Sequence, residues 1–60
     1  GDNIMNIGDT YIIRIDVEGK IYTYTGKIIS EDDNFVTFID KYNNTFSYNK
    51  NKILSFEVVK

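Results

Sequence analysis

Residues 20–39 read KIYTYTGKIISEDDNFVTFI and decide the fold. Apolar and polar side chains alternate here with a period of two, which is typical of β-strands that bury one face. A polar turn at 31–34 divides the stretch into a long strand at about 20–30 and a short, strongly β-prone strand at 35–39. We expect the short strand to be the central strand of the sheet.

Gly26 lies inside the long strand, where glycine has no side chain to pack. A glycine in this position marks a bend or a close approach of two backbones. Tyr22 and Tyr24 share one phase of the strand, whereas Ile21 and Ile29 share the other, so both phases carry apolar side chains. The sequence therefore predicts a strongly bent second strand whose inward face changes near Gly26.

The flanking segments predict three more strands. A tight Glu18-Gly19 turn joins the long strand to the strand before it, because glycine supplies the positive φ that such turns need. In the last strand, Leu54, Phe56 and Val58 share the predicted inward face. The further elements are strands at about 10–17, 46–48 and 53–59, with one 3₁₀ turn at 49–52 before the last strand. This order is the connectivity of small SH3-like barrels, so we expect an all-β fold.

The chain has 60 residues, which is enough for one domain only. We assign residues 1–8 to a short N-terminal lead and residues 9–60 to a single β-barrel domain. Two readings of the lead stay open. In the first, Met5 is the natural initiator and residues 1–4 are an added tag. In the second, the chain is a domain taken from a longer protein.

Composition argues against several function classes. The chain contains no cysteine and no histidine, so disulfides and thiolate or imidazole metal sites are excluded, and the usual general base is missing. The acidic run at 31–33 lacks the ligand spacing of a calcium loop. The chain lacks the run of about 18 apolar residues that would predict a membrane span. We therefore expect a cytoplasmic protein without enzymatic activity, cofactor or metal, and with no membrane partner.

Charge is distributed unevenly along the chain. Residues 1–40 carry three basic and eight acidic side chains, whereas residues 41–60 carry four basic and one acidic side chain. Amines beside aromatic rings are what single-stranded nucleic acid requires, since the rings stack on bases and the amines meet phosphates. The basic part combines such residues in polar connections. The candidate nucleic-acid-binding residues are Lys41, Tyr42, Tyr48, Lys50 and Lys52.

The segment GKIISEDDNFVTFID at 26–40 resembles the Sm-like family, with Hfq-type members as the nearest pattern. In that pattern a glycine of the second strand is followed by an apolar residue, an acidic turn and an apolar strand. Gly26, Ile28 and Asp32 stand at the matching positions. The asparagine that helps the family to hold a uridine base would fall near Val36.

The segment SYNKNKILSFEVV at 47–59 resembles the second Hfq-type stretch, with Tyr48, Lys50 and Ile53 at the matching positions. The histidine of that stretch is absent. The two resemblances imply a small five-stranded SH3-like (Sm-like) barrel that is associated with RNA. They also imply assembly of subunits strand against strand.

Two functional hypotheses follow. In the first, the domain is a non-catalytic module that binds RNA or another single-stranded nucleic acid. In the second, it is a protein-interaction or assembly module whose acidic, tyrosine-rich surface meets a protein partner. A chain this small gains stability from self-association, and its last strand has apolar residues on both phases. We therefore expect a homo-oligomer joined through the strands at 46–48 and 53–59, with Ile53 and Val59 on the outward phase.

Overall fold

A computed structural model describes residues 4–60, so residues 1–3 of the predicted lead lie outside the described part. Five antiparallel strands, the number predicted, form one sheet, and the predicted 3₁₀ turn precedes the last strand. The strands are Thr10–Val17 (β1), Lys20–Glu31 (β2), Phe35–Asp40 (β3), Thr45–Asn49 (β4) and Ile53–Val58 (β5), with the 3₁₀ turn at Lys50–Lys52. Within residues 4–60, no helix has the length and apolar character needed to cross a membrane.

The strands lie in the order β4-β3-β2-β1-β5, so β2 is the central strand. The prediction that residues 35–39 would be central is wrong. β2 has 12 residues and uses its length to pair with β1 through Lys20–Lys27 and with β3 through Gly26–Glu31. β4 and β5 are the two edges of the sheet, and no pairing between them is found in the part that the structure describes.

The alternation of inward and outward side chains along β2 shifts by one residue at Ile29, three residues after the predicted position. Ile28 pairs with Phe38 and Ser30 pairs with Thr37, so Ile29 is the extra residue of a β-bulge. Gly26 lies before the bulge, keeps the regular alternation of the strand and is buried. A Cβ atom at Gly26 would overlap the ring of Phe38, so the close neighbour of this glycine is a side chain rather than a second backbone.

The core combines side chains from the first three strands with one residue of the lead. Met5 is 2% exposed, and its backbone N–H donates to Glu31 Oε2 at 3.1 Å. The next backbone N–H, of Asn6, donates to the Tyr11 hydroxyl at 2.8 Å. The lead is therefore anchored to the sheet at residue 5. The fully buried core consists of Met5, Tyr11, Ile13, Ile15, Ile28, Val36 and Phe38.

The inward face of β5 differs from the prediction because this strand also contains an irregularity. Ile53 pairs with Ile15 and Ser55 pairs with Arg14, which leaves Leu54 without a place in the register. Ile53 and Phe56 pack against the core, whereas Leu54 is 55% exposed. The predicted inward position of Leu54 and the outward position of Ile53 are therefore both wrong.

Candidate nucleic-acid interface

The turn between β3 and β4 is organised by one carboxylate. The backbone N–H groups of Tyr42 and Asn44 both donate to Asp40 Oδ1 at 2.9 Å. Asn43 adopts a φ of 69°, in the left-handed region that asparagine tolerates better than most residues. These local hydrogen bonds hold Lys41 and Tyr42 at the tip of the turn.

Lys41 and Tyr42 form a cation–π pair at this tip. The Lys41 Nζ atom lies over the Tyr42 ring, 5.4 Å from its centroid. Tyr42 is 72% exposed, which makes it the most exposed large hydrophobic side chain among residues 4–60. One ring surface and one positive charge are therefore presented together to solvent.

The turn borders a hollow that the strand pairing creates. β3 pairs with β2 only as far as Gly26, which lies opposite Asp40, so residues 20–25 of β2 extend past the end of β3 and pair with β1 alone. The space between this extension and the turn has a volume of about 260 Å³. Its lining consists of Thr23, Tyr24, Thr25, Asp40, Lys41 and Tyr42.

Tyr24 connects the hollow to an aromatic cluster on the inner side of the sheet. Its ring centroid lies 4.8 Å from that of Phe46, 5.4 Å from that of Phe38 and 5.9 Å from that of Tyr48. Its hydroxyl shares a 2.9 Å hydrogen bond with the Tyr48 hydroxyl. This bond, with a smaller effect of burial, raises the pKa of Tyr24 to about 12.

The five predicted site residues do not form one patch. Tyr48 is half-buried in the aromatic cluster, and Lys52 is exposed in the 3₁₀ turn. Lys50 Nζ lies 3.1 Å from Glu31 Oε2, so this amine is already paired. The five residues of β4 span about 15 Å at roughly 3.3 Å per residue, and they separate Lys50 and Lys52 from the Lys41 and Tyr42 tip.

A second concave surface follows the free edge of β5. Its volume is about 820 Å³. The apolar part of the lining is the exposed Leu54, the half-buried Ile53 and Phe56 and the buried Met5. The polar lining residues are Asp33, Lys50, Asn51 and Ser55. This groove has no exposed aromatic ring with which a base could stack, so it suits a polypeptide better than a nucleic acid.

The acidic turn after β2 is a local hydrogen-bonding motif. Asp32 Oδ1 accepts hydrogen bonds from the backbone N–H groups of Phe35 at 2.7 Å and Asn34 at 2.8 Å. These bonds lower the pKa of Asp32. Among residues 4–60, no group of three or more acidic side chains is arranged to hold a metal ion.

The sequence predicts Lys41 and Tyr42 as candidate residues but not the other residues that line the hollow beside them. Thr23, Tyr24 and Thr25 lie within the predicted strand at about 20–30, and Asp40 follows the predicted strand at 35–39. The signal in the sequence is the difference in predicted strand length, because a strand at about 20–30 extends past a neighbour at 35–39 that is about half as long. Comparisons with protein-family models, with curated proteins and with solved structures gave no match.

Proposed function

We propose that this chain is a non-catalytic module of the small β-barrel type that binds single-stranded RNA in the cytoplasm, with the hollow beside the β3–β4 turn as its contact site. The observation that carries the proposal is the exposed Tyr42 ring with Lys41 Nζ over it. Stacking of a base on an aromatic side chain contributes about 1–3 kcal/mol in single-strand binding.

The size of the hollow supports contact with one base at a time. Its volume of about 260 Å³ lies below the roughly 300–1,000 Å³ of pockets for larger ligands. Thr23 and Thr25 line the same hollow, and a threonine hydroxyl can donate a hydrogen bond to a base or accept one from it. The neighbouring phosphate then meets Lys41.

The charge of the chain limits the affinity. The net charge is −2, and Lys41 is the one basic side chain that lines the hollow. Each phosphate neutralised on a single strand contributes a salt slope of about −0.7. We therefore expect weak binding with a shallow salt dependence, near one phosphate per site.

Assembly of several copies would compensate for a weak single site. β4 and β5 are both sheet edges, and the β5 edge carries Leu54 at 55% exposure. Free edges favour pairing with another chain. We propose a homo-oligomer in which β4 of one copy pairs with β5 of the next, so that several hollows face the same RNA. This arrangement also fits the Sm-like resemblance and barrel closure across subunits.

The β5 groove favours the second hypothesis, in which the domain is an assembly module for a protein partner. The groove holds about 820 Å³ and is bordered by a strand edge to which an extended polypeptide could add. Light scattering over a dilution series tests whether the chain self-assembles. A mass above 7.0 kDa that rises with concentration supports self-assembly, whereas a constant mass of 7.0 kDa eliminates it.

RNA binding is tested at low salt with a fluorescein-labelled single-stranded RNA heptamer of mixed sequence that contains all four bases. We expect Tyr42→Ala to weaken the Kd about tenfold, since it removes the stacking surface. Tyr22→Ala is the matched control, because Tyr22 is also an exposed tyrosine but does not line the hollow. Equal effects of the two substitutions, or no binding by the unchanged protein, would overturn the proposed function.

A further inference from the structure

We infer that the hollow prefers guanine over the other bases, with Asp40 as the residue that reads the base. This inference rests on the proposed function, because it concerns the same contact site. It is carried by the geometry of one carboxylate whose two oxygens have different surroundings.

The first oxygen of Asp40 is occupied and holds the side chain in place. Oδ1 accepts the backbone N–H groups of Tyr42 and Asn44, both at 2.9 Å, which uses both of its lone pairs. Oδ2 has no hydrogen-bond or ion-pair partner within residues 4–60. Asp40 lines the hollow together with Tyr42, so a carboxylate with one free oxygen borders the space in which a base would stack.

A carboxylate oxygen of this kind distinguishes the Watson–Crick edges of the bases. Guanine presents two adjacent donors, its ring N1–H and its exocyclic N2 amino group, and one oxygen with two free lone pairs can accept from both. Uracil presents one ring N–H between two carbonyl oxygens, which repel a carboxylate. Adenine and cytosine each place an acceptor ring nitrogen beside their amino group. Guanine is therefore the base with the best match.

The remaining parts of the site do not select a base. Every base has a π-face, so stacking on Tyr42 is tolerant of sequence. The position at which the Sm-like pattern places its uridine-binding asparagine is occupied by Val36, which is 0% exposed and has no contact with solvent. A uridine preference of that origin is therefore not expected in this chain, and base selection falls to Asp40.

The test uses uridine heptamers with one central substitution, which avoids guanine-rich structures. We expect the heptamer with a central guanosine to bind about tenfold more tightly than the one with a central adenosine, which is a purine of similar stacking surface. A central inosine keeps N1–H and lacks the N2 amino group. Its affinity should lie between the two.

Asp40→Asn provides the decisive variant. The asparagine keeps an oxygen for the turn amides and replaces the free oxygen with an amino group, which is a donor and cannot accept from guanine. We expect the guanosine preference to disappear while circular dichroism stays unchanged. Asp32→Asn is the matched control, because Asp32 also accepts two backbone N–H groups but does not line the hollow, and it should keep the preference.

The outcomes separate the two proposals. If the heptamers bind but guanosine and adenosine give equal affinity, the base preference is overturned and the RNA-binding function stands. The same holds if Asp40→Asn keeps the preference. If no heptamer binds to the unchanged protein, the RNA-binding function fails and the base preference fails with it.

Discussion

Similar polar turns lie at the two ends of β3, in different surroundings. We call the turn before β3 the closed end and the turn after β3 the open end. At the closed end, Glu31 Oε2 meets both the Met5 backbone N–H and Lys50 Nζ, each at 3.1 Å, and the lead covers the core. At the open end, Asp40 holds a turn whose Lys41 and Tyr42 extend into solvent.

The difference shows that similar turns can either be tied to the core or be left exposed to solvent in this small domain. Asp32 near the closed end and Asp40 at the open end each use one oxygen to accept two backbone N–H groups. Local turn chemistry is therefore the same at both ends. The neighbours decide the role, because Glu31 and Lys50 neutralise each other at one end, whereas the extension of β2 leaves a hollow at the other.

The largest expected effect is at the closed end. Met5→Ala removes a side chain that is 2% exposed and packs in the core. We expect a loss of about 3 kcal/mol in the free energy of unfolding, as for other large-to-small core changes. Urea denaturation measures it, with Ile4→Ala as the control, since Ile4 is 64% exposed. Equal midpoints for the two variants would show that the lead does not close this end.

A smaller effect is expected at the base of the open end. Gly26→Val places a side chain where the Phe38 ring already lies, so the ring or the strand must move. We expect a cost of about 2 kcal/mol from this overpacking. Thermal unfolding measures the cost, and Ser55→Val is a control on an exposed strand position. A melting temperature unchanged by Gly26→Val would refute the close packing of the Phe38 ring against Gly26.

The smallest effect concerns the tyrosine pair beneath the hollow. An unfolded tyrosine has a pKa near 10, and the hydrogen bond with Tyr48 raises the pKa of Tyr24 to about 12. Because the folded-state pKa is raised, the stabilisation is fully present below about pH 10 and is lost as the pH rises towards 12.

Tyrosinate absorbance during an alkaline titration tests this prediction. One tyrosine should titrate near pH 12 in the unchanged protein, and this step should move to lower pH in Tyr48→Phe. Tyr42→Phe should leave the step in place, because Tyr42 lies outside the hydroxyl pair. A late step that persists in Tyr48→Phe would contradict the assignment.

Strand positions could be predicted well because they depend on local pattern. β1 begins and ends at the predicted residues, and the 3₁₀ turn lies within the predicted segment. The two irregularities, at Ile29 and Leu54, could not be placed. An alternating pattern with apolar residues on both phases does not show where one extra residue enters, since that depends on which partner strand takes over the pairing.

Only part of the candidate site could be predicted, for a similar reason. Lys41 and Tyr42 are adjacent in the chain, and their combination of charge and ring is visible in the sequence. Thr23 and Thr25 are more than 15 residues away from Asn44. Their place beside the turn depends on the point at which β3 stops pairing with β2. The ion pair of Lys50 with distant Glu31 likewise depends on tertiary contacts.

The sequence by itself determined the all-β class, the five strands and the polar turns, because alternation and turn chemistry act between residues that are close in the chain. Only the tertiary structure decided that β2 is central, that Met5 belongs to the core and that Asp40 borders a hollow. These features depend on contacts between residues far apart in the chain, and a one-residue bulge is enough to change which face a side chain occupies.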